Sequence, residues 1–212
     1  MTLRIATLEV ADPRSAWVEA GFTVDAGDVC RIGDVGVELV GRARGSGIVG
    51  WSLGGLPADL GEDVDGIATT RSGASAPVPG VHRNGVTAID HVVLMSPDLD
   101  RTVETLGRLG EQPRRERDAH VGERPIRQIF YRFGETIVEV VGSPGASDPG
   151  PSTLWGITYV VVDIDESARF FGDRTSPIKA AVQLGRRITT LRHRDLGMSV
   201  RTALISARPA RQ

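Results

Sequence analysis

The stretch that decides the fold runs from residue 85 to residue 142. It opens with Gly-Val-Thr-Ala-Ile-Asp-His-Val-Val-Leu-Met-Ser-Pro-Asp-Leu-Asp (85–100) and closes with Arg-Phe-Gly-Glu-Thr-Ile-Val-Glu-Val-Val-Gly (132–142). Its apolar spacing predicts a strand at 87–95 and a helix at 98–109. Three further strands are predicted at 111–119, 126–133 and 136–141. His91 and Glu139 fall inside apolar strand patterns, where a polar side chain needs a partner.

Part of this stretch recurs earlier in the chain. Residues 31–41 match residues 132–142 over eleven positions without a gap. The earlier copy follows a predicted strand at 3–10 and a helix at 14–20, for which Asp12-Pro13 supplies a cap and a first residue. A hairpin over 29–40 turns at Gly33-Asp34. The sequence therefore predicts an internal repeat of a strand-helix-strands unit.

The C-terminal part repeats the same plan. The predicted elements are a strand at 155–163, a helix at 165–171, and a hairpin made from 188–193 and 199–206. These elements divide the chain into an abbreviated N-terminal module (1–55), a Gly/Pro-rich linker (56–84), a central module (85–142) and a C-terminal module (154–206). The central and C-terminal modules are expected to form one domain (85–206). Residues 41–85 read as a poorly structured connection with one strand at 48–53.

Composition excludes several classes of function. The 212 residues carry a formal net charge of −2 and a pI near 6.1, which gives no reason to expect nucleic acid or an anionic membrane as a partner. Lys179 is the single lysine, so the cluster Arg114, Arg115 and Arg117 is interpreted mainly as solvated surface. One cysteine excludes a disulfide framework within the chain, and no leader or membrane-length apolar run is present. A cytoplasmic protein is the expectation.

Two glycine motifs suggest other functions. The run 45–50 fits the dinucleotide-binding glycine pattern, but that chemistry needs a following helix, which Gly54, Gly55 and Pro57 oppose. The run 50–54 fits the nucleophile elbow of serine hydrolases, with Ser52 as the nucleophile and Asp163 and His193 in the required order. A serine hydrolase is kept as the distant alternative.

His91 and Glu139 form the stronger pair. If their strands are adjacent and antiparallel and the two side chains share a face, an imidazole and a carboxylate project into a concave pocket. Such a pair can hold a divalent metal with open positions for water or substrate. It can equally be a hydrogen-bonded pair buried in a sheet.

The residues 89–94 (Ile-Asp-His-Val-Val-Leu), 97–100 (Pro-Asp-Leu-Asp) and 134–141 (Gly-Glu-Thr-Ile-Val-Glu-Val-Val) resemble the vicinal oxygen chelate superfamily of glyoxalase, bleomycin-resistance and extradiol dioxygenase-type proteins. The resemblance implies an α+β fold of repeated βαβββ modules, with a cupped, mostly antiparallel mixed sheet and short helices outside. It also implies that His91 and Glu139 are metal ligands, and that Glu139 or Asp90 acts as base, although alternation points Asp90 away from His91. The metal would be Zn, Ni, Mn or Fe, acting as Lewis acid in a lyase or isomerase reaction.

The sequence departs from that pattern at the other ligand positions. In the last module the first-strand position falls on Gly156 or Thr158, and the last-strand position on Ala203. The first module keeps Glu38 but has Ile5 or Ala6 where a histidine is expected. The metal site is therefore incomplete, and a metal-free binding or sequestration protein is the near alternative.

The cup is a plausible ligand site with or without a metal. The predicted substrate-binding residues are Arg127, Gln128, Phe130, Tyr131, Trp155 and Tyr159. The predicted partner is a small-molecule ligand, and exposed sheet edges make a homodimer possible.

Overall fold

The computed structural model describes residues 2–58, 61–73 and 78–208. The N-terminal strands and helix are β1 (Arg4–Val10), α1 (Arg14–Glu19), β2 (Val29–Ile32), β3 (Val35–Leu39), β4 (Ile48–Gly54), β5 (Asp63–Val64) and β6 (Ile67–Arg71). The central unit is β7 (Val86–Met95), α2 (Leu99–Arg108), β8 (Arg115–Val121), β9 (Arg124–Phe133) and β10 (Thr136–Gly142). The last unit is β11 (Thr153–Val161), α3 (Ile164–Phe171), β12 (Lys179–Ala180), β13 (Arg187–Thr190) and β14 (Arg201–Ser206). Short 3₁₀ helices lie at Arg42–Arg44, Gly172–Arg174 and His193–Leu196.

Two mixed sheets make up the α+β fold. The six-stranded sheet has the order β2-β3-β1-β4-β6-β5, and the eight-stranded sheet has the order β12-β13-β14-β11-β7-β10-β9-β8. Two βαβββ modules build the larger sheet, and they join where β11 pairs antiparallel with β7. Within each module the first and last strands are parallel, as β7 is to β10 and β11 is to β14. The prediction that the His91 and Glu139 strands pair antiparallel was therefore wrong, because β8 and β9 reverse the chain before it returns beside β7.

The two sheets pack against each other through one apolar core. Trp51 of the smaller sheet lies 5.9 Å from Phe133 of the larger one, measured between ring centroids. The ring centroids of Phe22 and Tyr159 are 5.4 Å apart. Alternation along each strand sends one set of side chains into this core and leaves the other set on the opposite face of the sheet. The eight-stranded sheet is curled, and we call its face that points away from this core the cup.

The segment between the first hairpin and the central unit contains more structure than its composition indicated. The strand expected at 48–53 is present as β4, and β5 and β6 follow it within the range assigned to a linker. The turn between them carries Asp65, whose carboxylate accepts hydrogen bonds from Arg101 Nε at 2.6 Å and Ser152 Oγ at 2.5 Å. These hydrogen bonds connect the turn that carries Asp65 to α2 and to the residue directly before β11. Short-range patterns do not show them because the partners are distant in sequence.

Asp12 does not cap the first helix as expected. Pro13 occupies the N-cap position of α1 and makes no side-chain capping bond. The fully buried Asp12 carboxylate instead accepts hydrogen bonds from Trp17 Nε1 at 3.1 Å, Ser199 N at 2.9 Å and Ser199 Oγ at 2.6 Å. Arg42 adds an ion pair at 3.0 Å. Asp12 therefore ties the first helix to the last module.

No helix among the described residues has the length and apolar character needed to cross a membrane.

His82 is expected to make stability fall as the pH is lowered below about 6.5. Its Nδ1 accepts from the Thr23 backbone N–H and its Nε2 donates to the Arg31 carbonyl, each at 3.1 Å, so the ring is held neutral. Burial lowers its pKa, and the Arg31 bond only partly opposes this. The folded state then binds fewer protons than the unfolded state, and stability that is present above the unfolded pKa is lost as the pH falls. Melting temperatures measured across this range should fall less steeply for His82→Gln than for His120→Gln, a variant at an exposed histidine. Equal slopes would contradict the assignment.

Candidate functional site

Strand register defines which side chains line the cup. Residues directly opposite each other on paired strands share a face. His91 is opposite Ile137 on β10 and Thr158 on β11, and Thr158 is opposite Ala203 on β14. Extending this across the sheet adds Gln128, Phe130 and Arg132 from β9, Arg115 and Arg117 from β8, Ile188 from β13 and Lys179 from β12. The cup floor is thus central in the sheet, and its walls come from the two sheet ends.

His91 and Glu139 lie side by side on the cup floor. His91 Nε2 is 3.5 Å from Glu139 Oε2, and the two side chains are 13% and 11% exposed. In the parallel β7–β10 pair, Glu139 is opposite Val93, two residues along from His91, which places both side chains on one face. The structure therefore brings the two predicted site residues together, although by a different strand pairing.

A β-bulge turns Asp90 toward His91. Ile89 and His91 pair with the consecutive residues Tyr159 and Thr158, so Asp90 is the extra residue on β7. Asp90 Oδ2 lies 2.8 Å from His91 Nδ1, which corrects the expectation that Asp90 points away from His91. Arg186 is buried and donates to Asp90 Oδ1 at 2.5 Å. Desolvation opposes ionisation of Asp90, but the bonds from His91 and Arg186 outweigh it and lower the Asp90 pKa.

Gln128 and Arg117 support the other end of the pair. Arg117 Nε donates to Gln128 Oε1 at 2.8 Å, and this fixes the amide so that Gln128 Nε2 donates to Glu139 Oε1. Gln128 was predicted to contact substrate, and the structure places it in hydrogen-bond contact with Glu139. A continuous polar chain therefore crosses the cup floor from Arg186 to Arg117.

A cavity of about 580 Å³ lies over His91. Its apolar lining includes Phe130, Ile137, Val182 and Ile188, and its cationic lining is Arg114, Arg115, Arg117, Arg132 and Lys179. Within the described chain, Arg115, Arg117 and Lys179 form no ion pair, whereas Arg132 pairs with Glu135 at 2.6 Å. The arginine cluster interpreted from sequence as surface therefore lines the cup together with the predicted Phe130.

Other predicted ligand-contacting residues lie elsewhere. Arg127 alternates with Gln128 onto the face of β9 that points away from the cup, and it forms an ion pair with Asp118 at 2.8 Å. Tyr159 is fully buried in the inter-sheet core, and burial raises its pKa well above the usual value. Tyr131 adjoins the cavity but is 1% exposed, and burial raises its pKa to about 12. Both tyrosine hydroxyls are buried and have no hydrogen-bond partner within the part of the chain that the structure describes.

Trp155 lines a second cavity, of about 550 Å³, on the same cup face. A register shift between Leu154 and Gly156 makes it an extra residue on β11, and 45% of its surface is exposed. The Arg201 guanidinium lies 4.7 Å from the centre of its ring. His193 also lines this cavity, and burial lowers its pKa.

The donor set does not fit a tightly held metal ion. The described residues contain no group of three or more His, Cys, Asp or Glu side chains able to hold one. Register decides between the two possible positions on β11, because Thr158 and not Gly156 is opposite His91. Ala203, opposite Thr158, has no donor atom. His91 Nε2 and Glu139 remain as two donors, fewer than the three protein ligands of catalytic zinc sites or of a two-histidine-one-carboxylate site.

The two glycine motifs do not form the structures their chemistry requires. Ser52 lies inside β4, opposite Thr7 on β1 and Thr70 on β6, and not at a strand-to-helix turn. The same strand begins inside the run 45–50 and continues beyond it, where a dinucleotide site needs a helix N-terminus. Neither the nucleophile elbow nor the dinucleotide fingerprint is therefore present.

Comparison with solved structures identifies the fold. A variant of 4-hydroxymandelate synthase from Streptomyces coelicolor matches all of this chain and 94% of its own, with a TM-score of 0.69 and 18% identity. A xylose isomerase-like TIM barrel/4-hydroxyphenylpyruvate dioxygenase fusion protein matches all of this chain and 50% of its own, with a TM-score of 0.62 and 13% identity. Methylmalonyl-CoA epimerase from Mycobacterium tuberculosis gives a TM-score of 0.46 at 19% identity over 61% of this chain and 94% of its own. No family model and no curated protein sequence matches the chain.

The two structures with TM-scores of 0.69 and 0.62 confirm, at the level of the fold, the expectation that followed from the resemblance. The chain has the vicinal oxygen chelate fold, with paired βαβββ modules and a cupped sheet.

Proposed function

We propose that this chain is a small-molecule-binding protein whose ligand is an anion with an apolar body, bound in the cavity over His91. One observation carries the proposal: Arg115, Arg117 and Lys179, which have no ion-pair partner among the residues that the structure describes, line a cavity that also has aromatic and aliphatic walls. Unpaired cations around one cavity concentrate positive potential, which attracts and orients an anion. A cavity of about 580 Å³ also lies within the size range of small-molecule sites.

Replacing Arg115 and Arg117 together by glutamine is expected to weaken anion binding about 100-fold or more, because two hydrogen bonds between charged groups are lost and each contributes about 1.5–3 kcal/mol. The probes are 4-phenylbutyrate and its neutral analogue 4-phenyl-1-butanol, titrated by calorimetry. The wild type should prefer the carboxylate, and added salt should reduce that preference.

Arg127→Gln is the matched control, since Arg127 lies on the same sheet but on the face that points away from the cup. It should bind like the wild type. Equal affinity for the acid and the alcohol, or equal losses in the control and the double variant, would contradict the proposed site.

A metal-dependent lyase or isomerase is the second candidate. The 3.5 Å approach of His91 Nε2 to Glu139 Oε2 favours it, and so does the Asp90 contact that leaves Nε2 free of other partners. The incomplete donor set argues against a tight site. Metal analysis of the protein purified without added metal, repeated on His91→Ala, tests this candidate. Stoichiometric metal in the wild type alone would support it, and its absence from both samples would reject it.

The remaining expectations about partners and location stay predictions. They are a cytoplasmic location, a possible homodimer, and no nucleic acid or membrane as partner. The buried single thiol of Cys30, whose pKa burial raises to about 12, is consistent with a protein that uses no disulfide.

A further inference from the structure

The two cavities of the cup adjoin each other. We call the cavity over His91 the first cavity and the one that Trp155 lines the second cavity. In β7, His91 lines the first cavity, and Val93, two residues further on the same face, lines the second. In β13, Ile188 lines the first cavity and Thr190 the second. Residues two apart in a strand are separated by only about 7 Å. A single ligand can therefore extend from one cavity into the other.

The side chains at the boundary between the cavities are short. Thr158 lines the second cavity and lies directly opposite His91 of the first. Ala203 is opposite Thr158 on one side and Thr190 on the other. These small residues leave space above the sheet for a ligand to pass.

The second cavity has cations of its own. Its lining includes Arg192, Arg194 and Arg201, which form no ion pair within the part of the chain that the structure describes. Asp195 is the acidic side chain in the same described lining, so the cations outnumber it. The Arg201 guanidinium is 4.7 Å from the centre of the Trp155 ring, a contact that orients it without neutralising its charge. The second cavity is therefore suited to an anionic group, as the first cavity is.

The two groups of cations lie on opposite sides of the cup. Strand register places one row of residues opposite one another across the sheet, and in order they are Arg115, Phe130, Glu139, Val93, Gly156 and Arg201. Arg115 and Arg201 are at the ends of this row, from β8 to β14, which is about 24 Å along the sheet surface at the usual strand spacing. Because the sheet is curled, the two ends turn toward each other above the floor. Phe130 and Val93 provide apolar surface between them.

We propose that the ligand carries two anionic groups separated by an apolar segment, with one anionic group in each cavity. The inference rests on the proposed function, because it keeps the first anionic group beside Arg115, Arg117 and Lys179. It adds a second anionic group beside the arginines of the second cavity. The ligand class is thereby narrowed from an anion with an apolar body to an elongated dianion.

Calorimetric titration with paired probes tests this inference. The probes are octanedioate, dodecanedioate and hexadecanedioate, each compared with its own monomethyl ester, which has the same length and one charge fewer. Three lengths are used because the curl of the sheet shortens the distance between the two groups of cations. In the wild type, at least one diacid should bind about 10-fold or more tightly than its ester, because the second carboxylate gains hydrogen bonds from charged donors.

Two double variants each remove one group of cations. Arg194→Gln/Arg201→Gln acts on the second cavity, and Arg115→Gln/Arg117→Gln acts on the first. In either variant the diacid binds through one carboxylate at a time. Its advantage over the ester should then fall to about two-fold, the statistical factor for two equivalent groups.

Arg127→Gln/Arg187→Gln is the matched control, because it removes two arginines that pair with Asp118 and Asp165 on the side of the sheet away from the cup. It should keep the full advantage of the diacid. An equal reduction in the control would mean that net charge, and not the cup, causes the preference, and this would overturn the inference.

Two further results would overturn it: equal affinity for diacid and ester at every length, or a loss of the advantage in only one of the two cup variants, which would place both carboxylates in one cavity. Titrations of 4-phenylbutyrate and 4-phenyl-1-butanol are run in parallel. If the wild type prefers 4-phenylbutyrate but no diacid has an advantage, the second anionic group is rejected and the proposed function stands. Loss of both preferences rejects both.

Discussion

Replacing Asp12 with alanine is expected to destabilise the protein by about 3–5 kcal/mol, because several buried donors lose one shared acceptor and each unsatisfied buried group costs about 1–3 kcal/mol. The substitution leaves the Trp17 indole N–H, the Ser199 backbone N–H and the Arg42 guanidinium without their acceptor. Trp17 is fully buried and finds no water to replace the carboxylate. For a chain of this size the loss corresponds to a fall in melting temperature of about 10 °C.

Thermal and denaturant unfolding of Asp12→Ala measure this effect. Asp165→Ala is the matched control, because Asp165 is half-exposed and pairs with Arg187 at 2.6 Å on the surface. A surface pair of this kind contributes about 1 kcal/mol or less. Similar losses in the two variants would show that Asp12 does not join the first helix to the last module.

Replacing Thr158 with histidine is expected to add a third metal donor to the pair His91 and Glu139. Thr158 is opposite His91, and its neighbour across β14 is Ala203, whose small side chain leaves room for an imidazole. With Glu139, the variant presents two histidines and one carboxylate, a set that binds divalent first-row metals. After loading and dialysis, metal analysis should find about one equivalent in Thr158→His and much less in the wild type.

Thr153→His is the control, since Thr153 lies on the same strand at its exposed end, opposite Met95. It should retain no more metal than the wild type. A Thr158→His protein that folds but holds no metal would show that His91 and Glu139 are not oriented toward a common point.

The fold was largely predictable because its modules have strong local patterns. The apolar strands around His91 and Glu139, with the Asp-capped helices that follow the first strands, identify βαβββ modules from residue order alone. Asp98 and Asp163 do cap α2 and α3 with their side chains. The parallel pairing of β7 with β10 was missed, because a strand pattern indicates which face is buried but not the direction of its neighbour.

The site was only partly predictable, since its geometry depends on contacts between distant residues. Strand alternation predicted that Asp90 points away from His91. That prediction was wrong because the amino-acid sequence gives no sign of the bulge at Asp90. Arg115 and Arg117 were interpreted as solvated because the residues that close the cavity opposite them come from β12, and six strands of the sheet lie between β8 and β12. Tyr159 is adjacent to the cup residue Thr158, and only the strand register shows that its side chain points into the core instead of the cup. A signal for Arg115 and Arg117 was available in their spacing of two, which places both on one face of a strand.

The bulge at Asp90 has a consequence for how this protein changes over generations. Residues on both sides of Asp90 pair with consecutive residues of β11, Ile89 with Tyr159 and His91 with Thr158. Loss of the single codon for Asp90 would therefore remove this bulge without displacing any other pair. The partner of the His91 ring can be gained or lost by one in-frame insertion or deletion, independently of the sheet that carries it.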